Sequence, residues 1–322
     1  MLEKRPPHLL PPWPADVPWP LSAGVLGQIS GPLRAVRRAF LMLLWTLLAM
    51  VPQALLNVIP GGGKRLFPRV FWHGICAIFG LRRRVIGTPI TRATAGRPVI
   101  FVANHASWLD ILLLGAECRA VFVSKDDVLA WPLINLVAHL GRTVFINRRR
   151  QEAARGNAAI AARLKAGDDL ILFPEGTTSD GSRVLPFRSA FLAAAMDGDP
   201  PLIQPVSIAY DRLAGLPCRR AVRPLFAYYG ATSIGAHFWR LAQWPGLHAA
   251  VLFHPPLDPR AMPDRKALTF ALWEIVAEGA AALRQNRPSP AVTVSAIAAS
   301  PFAGDARRGP AGDEMDQQRK AG

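Results

Sequence analysis

Cysteine, acidic side chains and familiar nucleophile signatures are all scarce in this chain, and each scarcity excludes something. Three cysteines, Cys76, Cys118 and Cys218, stand in 322 residues. Their number is odd, their spacing is wide, and no C-x-x-C pair occurs, so neither a disulfide framework nor a zinc site is indicated. They read as small buried apolar residues in a reducing, cytoplasmic setting. The seven histidines (His8, His73, His105, His139, His237, His248 and His254) show no ligand spacing, and no metal is expected. No G-x-S-x-G elbow presents a serine nucleophile. The N-terminus lacks the basic start, compact apolar run and small-residue cleavage site of a signal peptide. Nothing resembles a multi-span transporter or a nucleic-acid recognition motif.

Acidic residues number 22 against 38 lysines and arginines, a net charge of +16. That excess points to an anionic partner: nucleic acid, an anionic membrane or a phosphorylated substrate. The placement favours the membrane. Arg34, Arg37 and Arg38, then Lys64, Arg65 and Arg69, then Arg82, Arg83 and Arg84 all lie beside apolar stretches. No nucleic-acid partner is expected. A solubilising surface is the plainer alternative for any one cluster.

The chain divides by composition. Residues 1–30 are proline-rich and aperiodic, an expected disordered arm. Residues 39–59 are the most apolar segment, long enough as a helix to cross a hydrocarbon core of about 30 Å. Pro52, Gln53 and Asn57 interrupt it, and basic residues on both sides give it no clear orientation. A second apolar stretch covers 70–81. Residues 31–84 are therefore expected to form a two-helix membrane anchor dipping into the cytoplasmic leaflet. From about residue 85 apolar strand-like runs alternate with helical patterns: strands at 99–102, 120–123, 143–146, 170–173 and 203–208, with further ones at 226–229 and 249–253. Helices are expected from Asp110 through Leu114 and at 129–140, 151–166, 189–196 and 267–287. This predicts an α/β domain over 85–287, with a mostly parallel central sheet flanked by helices. Residues 288–322 are expected to be a disordered tail.

Active sites in such folds gather on the loops after strand ends. Four segments sit there. N-H-A-S-W-L-D at 104–110 offers His105 as a general base and Asp110 as its orienting carboxylate. Within one helix a five-residue offset points two side chains about 140° apart, so the pairing requires His105 in the entry loop. Ser107 and Asp110 also fit a capping box, which would make Asp110 a helix-start residue only. Spacing alone leaves both readings open. The segment 141–150 ends a strand in Arg148, Arg149 and Arg150, whose guanidinium forks suit phosphate, or else form a solvated patch. F-P-E-G-T-T at 173–178 puts Glu175 in a tight turn after a strand. Pro205 in Q-P-V-S at 204–207 suggests an edge or distorted strand.

In that order these motifs resemble the glycerolipid acyltransferase family, typified by bacterial 1-acylglycerol-3-phosphate acyltransferases. Ser124, Lys125, Trp131 and Pro132 fit as well, and the resemblance runs from about residue 70 to 255. It implies acyl transfer from acyl carrier protein or coenzyme A to the sn-2 hydroxyl of 1-acylglycerol-3-phosphate. The product would be phosphatidic acid, made for phospholipid biosynthesis at the cytoplasmic face of the inner membrane with no cofactor beyond the donor. It implies His105 as base and Asp110 as its partner. Arg148 would hold the acceptor phosphate on a strand shaped by Gly141, Phe145 and Ile146. Asn104, Glu175, Gly176 and Thr177 would complete the substrate site, and Pro205 its wall. One departure is Thr178, where many members carry arginine. Either Arg183 or Arg188 substitutes, or the acceptor is lyso-ornithine lipid or another lysolipid. A non-catalytic membrane adaptor is disfavoured by an intact His105, Asp110 and Glu175.

Overall fold

A computed structural model describes residues 25–125, 132–146, 153–196, 200–230 and 233–287. The elements run α1 (Val25–Val58), α2 (Gly63–Phe79), β1 (Leu81–Ile86), α3 (Arg92–Ala95), β2 (Val99–Ala103) and α4 (Leu109–Glu117). They continue with β3 (Ala120–Lys125), α5 (Pro132–Leu140), β4 (Val144–Ile146), α6 (Ala153–Lys165) and β5 (Asp169–Leu172). The last are β6 (Leu202–Leu213), β7 (Leu216–Pro217), α7 (Ile234–Ala242), β8 (Leu247–Phe253) and α8 (Arg265–Arg284). Residues 1–24 of the expected arm, the tail, Trp131 and the arginines 148–150 lie outside the described residues; residues 25–30, also expected in the arm, instead begin α1.

One sheet carries the fold, in the order β1-β8-β6-β2-β5-β3-β4, with β7 paired to β6. Every neighbouring pair is parallel except β6 with β8 and with β7. Central β2 and β5 are buried throughout, as continuous apolar runs between two helical layers should be. Alternation sorts their side chains: Val99, Phe101 and Ile171 enter the core beneath α2 and α4, while Ile100, Val102, Leu170 and Leu172 enter the core beneath α6 and α8.

Two tryptophan–glycine contacts stack the N-terminal helices onto the sheet. The Trp72 ring of α2 lies over Gly115 of α4, where a Cβ would come within 2.3 Å of it. Trp45 of α1 lies over Gly74 of α2 in the same way, at 2.5 Å. Polar residues of α1 then fasten both its ends to the domain. Arg34 donates to the Gln243 carbonyl, and Arg38 to those of Ala242 and Trp244. At the other end Gln53 and Asn57 both donate to the Leu140 carbonyl. The outer face of α1 exposes Leu33, Val36, Phe40, Leu47, Val51 and Leu55, a stripe at helical spacing along its length.

Two apolar helices thus precede the sheet as expected, but they differ. Among the described residues α1 alone is long and apolar enough to cross a membrane. Shorter α2 buries Ile75, Cys76 and Phe79 in the domain core. Several expectations are corrected. Arg82, Arg83 and Arg84 belong to edge strand β1, whose Arg83 pairs with Glu117 at 2.7 Å. An edge strand tolerates that charge because it faces water on one side. Arg38 is a buried clamp, not a membrane flank. Residues 226–229 form no strand: they leave a 3-10 turn over Arg223–Leu225 and run on without regular structure. Residues 189–195 are 3-10 rather than α-helix.

Pro205 sits in an interior strand, not an edge. Its carbonyl accepts from the His254 N–H, so its missing N–H also faces β8, just beyond the last paired residue, Val206. The Gln204 side-chain amide donates to the His254 carbonyl that this N–H would have served.

The Trp72–Gly115 contact yields a paired test. Gly115→Ala should destabilise by about 1–3 kcal/mol through overpacking. Gly235→Ala, in α7 with open space around it, should melt at or above wild type. Thermal unfolding of both in the same detergent measures the difference.

Candidate active site

The loop after β2 is held by the turn after β5, by the start of α4 and by Tyr228. The His105 N–H donates to Glu175 Oε1 at 2.7 Å, and the His105 carbonyl accepts from the Ser179 N–H at 2.8 Å. The N–H groups of Ala106 and Ser107 both donate to Asp110 Oδ2, at 2.7 and 2.8 Å. The Ala106 carbonyl accepts from Tyr228, and the Ser107 carbonyl from the Asp110 N–H as α4 begins. Every backbone group from the His105 nitrogen to the Ser107 oxygen is therefore paired, which leaves the loop one conformation.

In that conformation His105 Nδ1 lies 2.9 Å from Asp110 Oδ2. A carboxylate oxygen can only accept, so Nδ1 carries the hydrogen and Nε2 is left as the basic nitrogen. Asp110 is fully buried, and its second oxygen takes a 2.5 Å hydrogen bond from the Tyr210 hydroxyl of β6. Only half of the capping box forms: Asp110 takes the Ser107 N–H, but α4 opens after Trp108 with no side-chain cap, and the same carboxylate holds the imidazole. The His105 ring stacks on Phe173, centroids 4.1 Å apart, and keeps 18% of its side chain exposed.

Glu175 comes from the turn after β5. The Gly176 N–H returns to the Phe173 carbonyl, with Pro174 and Glu175 at the turn's centre. Gly176 follows at φ 67°, where a side chain would be strained. Glu175 is buried, and its second oxygen accepts from the Leu185 N–H at 2.9 Å. Burial pushes its carboxyl up to about 8, against the downward pull of those two N–H groups. It braces the His105 loop from below. Thr177 is exposed beside it.

The other residues singled out by sequence fall into three groups. Asn104 spends its amide on β6, donating to the Ile208 carbonyl and accepting from the Ile208 N–H. That is a strut between β2 and β6 rather than a group aimed at a ligand. Pro205 lies in the same pair of strands, opposite Val102. Arg148 lies outside the described residues, and Arg142 before it turns away to Asp168 at 2.5 Å. The Thr178 hydroxyl donates to the Tyr228 carbonyl, so position 178 closes the loop rather than offering a cation.

Sequence reasoning missed Tyr210, Ser179 and Tyr228. Each acts through tertiary contact with the loop, and no local motif marks them. A second Ser–His hydrogen bond, Ser207 to His254 at 2.9 Å, is structural: both are buried, and Ser207 also reaches the Val276 carbonyl. Burial pulls the His254 imidazole down to about 4, so it stays neutral. Among the described residues no three His, Cys, Asp or Glu side chains gather as metal ligands.

Tyr210→Phe isolates the support of the dyad. It leaves one oxygen of a buried carboxylate without its donor, an expected loss of about 1–3 kcal/mol. The expected result is a roughly tenfold lower kcat with little change in KM, read from steady-state acyl-transfer kinetics. Unchanged kcat would mean that Asp110 needs no support from β6.

Comparison with known proteins bears on this arrangement. Residues 83–209, from β1 to the middle of β6, match the Acyltransferase family. A lyso-ornithine lipid O-acyltransferase of Brucella abortus is 38% identical over 229 residues, covering 69% of this chain and 84% of that protein. A 1-acyl-sn-glycerol-3-phosphate acyltransferase of Neisseria meningitidis is 30% identical over 208 residues, covering 62% and 79%. The crystal structure of the 1-acyl-sn-glycerophosphate acyltransferase PlsC from Thermotoga maritima superposes with a TM-score of 0.59 at 22% identity. It spans 82% of this chain and 99% of that one, and shares the fold. With the His105 loop inside the matched region and relatives aligned over most of their own length, the chain belongs to the Acyltransferase family.

Proposed function

We propose that this enzyme moves a fatty acyl group from a thioester to the free hydroxyl of a lysolipid, with His105 as general base. The observation that carries the reading is the 2.9 Å contact between His105 Nδ1 and Asp110 Oδ2 in a fully paired loop. The acceptor hydroxyl donates to Nε2, and His105 takes its proton as the oxygen attacks the thioester carbonyl. The C–S bond breaks, and the departing thiolate takes the proton from His105. Asp110 keeps the imidazole in one tautomer and stabilises the imidazolium between the two steps. The balance closes with the donor thioester alone, with no covalent acyl-enzyme and no further cofactor. Acyl carrier protein or coenzyme A supplies the thiol.

Two head groups are proposed. The first is 1-acylglycerol-3-phosphate, giving phosphatidic acid, with Arg148 as phosphate ligand. The second is lyso-ornithine lipid, and two observations favour it. Thr178 is committed to the Tyr228 carbonyl and presents no charge, and the Brucella relative carries that activity in its name.

Membrane attachment through α1 follows from its exposed apolar stripe. Its two fastened ends, Arg34 and Asn57, lie roughly 35 Å apart along the helix. A helix held to the domain over that length lies alongside it, which supports insertion into one leaflet rather than a crossing. The proposed site is the cytoplasmic face of the inner membrane, where soluble thioester donors have access.

The test is acyl transfer by purified enzyme in detergent, with lysophosphatidic acid and lyso-ornithine lipid as rival acceptors, alongside His105→Ala. The substitution should lower kcat by about 10²–10⁴ with the melting temperature held. Near-wild-type turnover by His105→Ala would sink the mechanism. Preference for lysophosphatidic acid supports the first head group, and preference for the ornithine acceptor the second.

A further inference from the structure

We infer that a basic groove at the end of the sheet remote from His105 is a second lipid site, one that takes the phosphate of an anionic membrane head group. It rests on the membrane attachment proposed above but not on the catalytic mechanism. The groove encloses about 440 Å³ between the start of α2, α3 and the entrances to β3 and β5. It opens at the amino ends of the parallel strands, whereas His105 follows the carboxyl end of β2. The five residues of β2 separate the two by roughly 16 Å.

Its chemistry is that of an anion site. Arg65, Arg92 and Arg119 line it. The guanidinium groups of Arg65 and Arg92 converge over Gly167, 3.4 and 3.2 Å from where a Cβ would stand; each gives one N–H to a carbonyl, that of Ala166 and that of Leu164. Arg119 is exposed and makes no hydrogen bond or ion pair among the described residues. The acidic groups nearby are already spent. Asp168 is shared by Arg65, Arg142 and Arg163, and Asp169 accepts from the Val99 and Arg92 backbone N–H groups. Three guanidinium groups thus line the groove beside carboxylates that are already engaged, with Arg119 and the remaining N–H groups of Arg65 and Arg92 left for an anion.

Its position selects a lipid rather than a free anion. Leu66, 44% exposed in the first turn of α2, lines the groove, and Val58 and Ile59 are exposed where α1 ends shortly before it. An apolar tip that enters the acyl region would bring these arginines to the level of the phosphates. Arg34 and Arg38 are spent on carbonyls at the opposite end of α1. A head-group site at this end would fix how the enzyme lies on the bilayer.

The test is co-sedimentation of full-length protein with phosphatidylcholine vesicles, with and without about one-third phosphatidylglycerol. Arg92→Glu with Arg119→Glu is compared with Arg265→Glu plus Lys266→Glu, an equal charge change on the exposed start of α8 across the sheet. The groove pair should weaken binding to the anionic vesicles at least roughly thirtyfold, at about 1 kcal/mol for each of the two basic residues lost near the surface. The α8 pair should weaken it less than twofold, and both should melt as wild type does. Equal losses from the two pairs would overturn the site, because net charge alone would then explain binding. Inorganic phosphate at fixed ionic strength should not displace wild-type protein from the vesicles. Displacement would overturn the lipid assignment in favour of a free phosphate. If the groove pair binds vesicles normally but raises KM for an acyl carrier protein donor, the groove docks that acidic protein and the lipid reading fails.

Discussion

The site depends on one buried carboxylate. Asp110 accepts from four donors: the His105 imidazole, two backbone N–H groups of its own loop and the Tyr210 hydroxyl. A fully buried carboxylate without such partners would cost several kcal/mol. Here the same bonds that make burial tolerable also set the geometry. They oblige the loop after β2 to fold back on the first turn of α4 and set the distance from β6. Glu175 does the same from the β5 side, with one oxygen on His105 and one on Leu185. Three strands are thereby locked around a single imidazole, which explains how a five-residue strand can hold that ring rigidly.

The same domain must also meet its substrate in a bilayer. The tryptophan–glycine contacts let α1, α2 and α4 approach closely enough to act as one block. The hydrogen bonds at both ends of α1 then fix its apolar stripe relative to the sheet. The apolar stripe and the His105 loop therefore belong to one packed block.

Much of this was legible in the sequence, and the exceptions have physical reasons. The strands β2, β5 and β8 read as short apolar runs because both their faces are buried, and β3 and β4 were legible as shorter apolar runs nearer the sheet's edge. β1 was hidden because an edge strand can carry Arg82, Arg83 and Arg84. Pro205 suggested an edge, since the Gln204 amide that replaces its N–H is a tertiary device no periodicity reveals. His105 and Asp110 stood out by residue type and position, but their spacing could not separate a cap from a dyad, and in the structure Asp110 holds two loop N–H groups and the imidazole without forming the reciprocal capping box. Tyr210 left no trace in local sequence, because its role arises from pairing across a hundred residues. Asn104, grouped with the site by its neighbours, serves as a strut.

The most direct test of the account is the tautomer of His105. Nitrogen-15 NMR of histidine-labelled protein in detergent, with the signal assigned by its loss in His105→Ala, reports which ring nitrogen bears the hydrogen when the ring is neutral. The account predicts a protonated Nδ1, bound to Asp110, and a bare Nε2. A protonated Nε2 would contradict it, because the only nitrogen free to meet a substrate hydroxyl would then be unable to accept its proton.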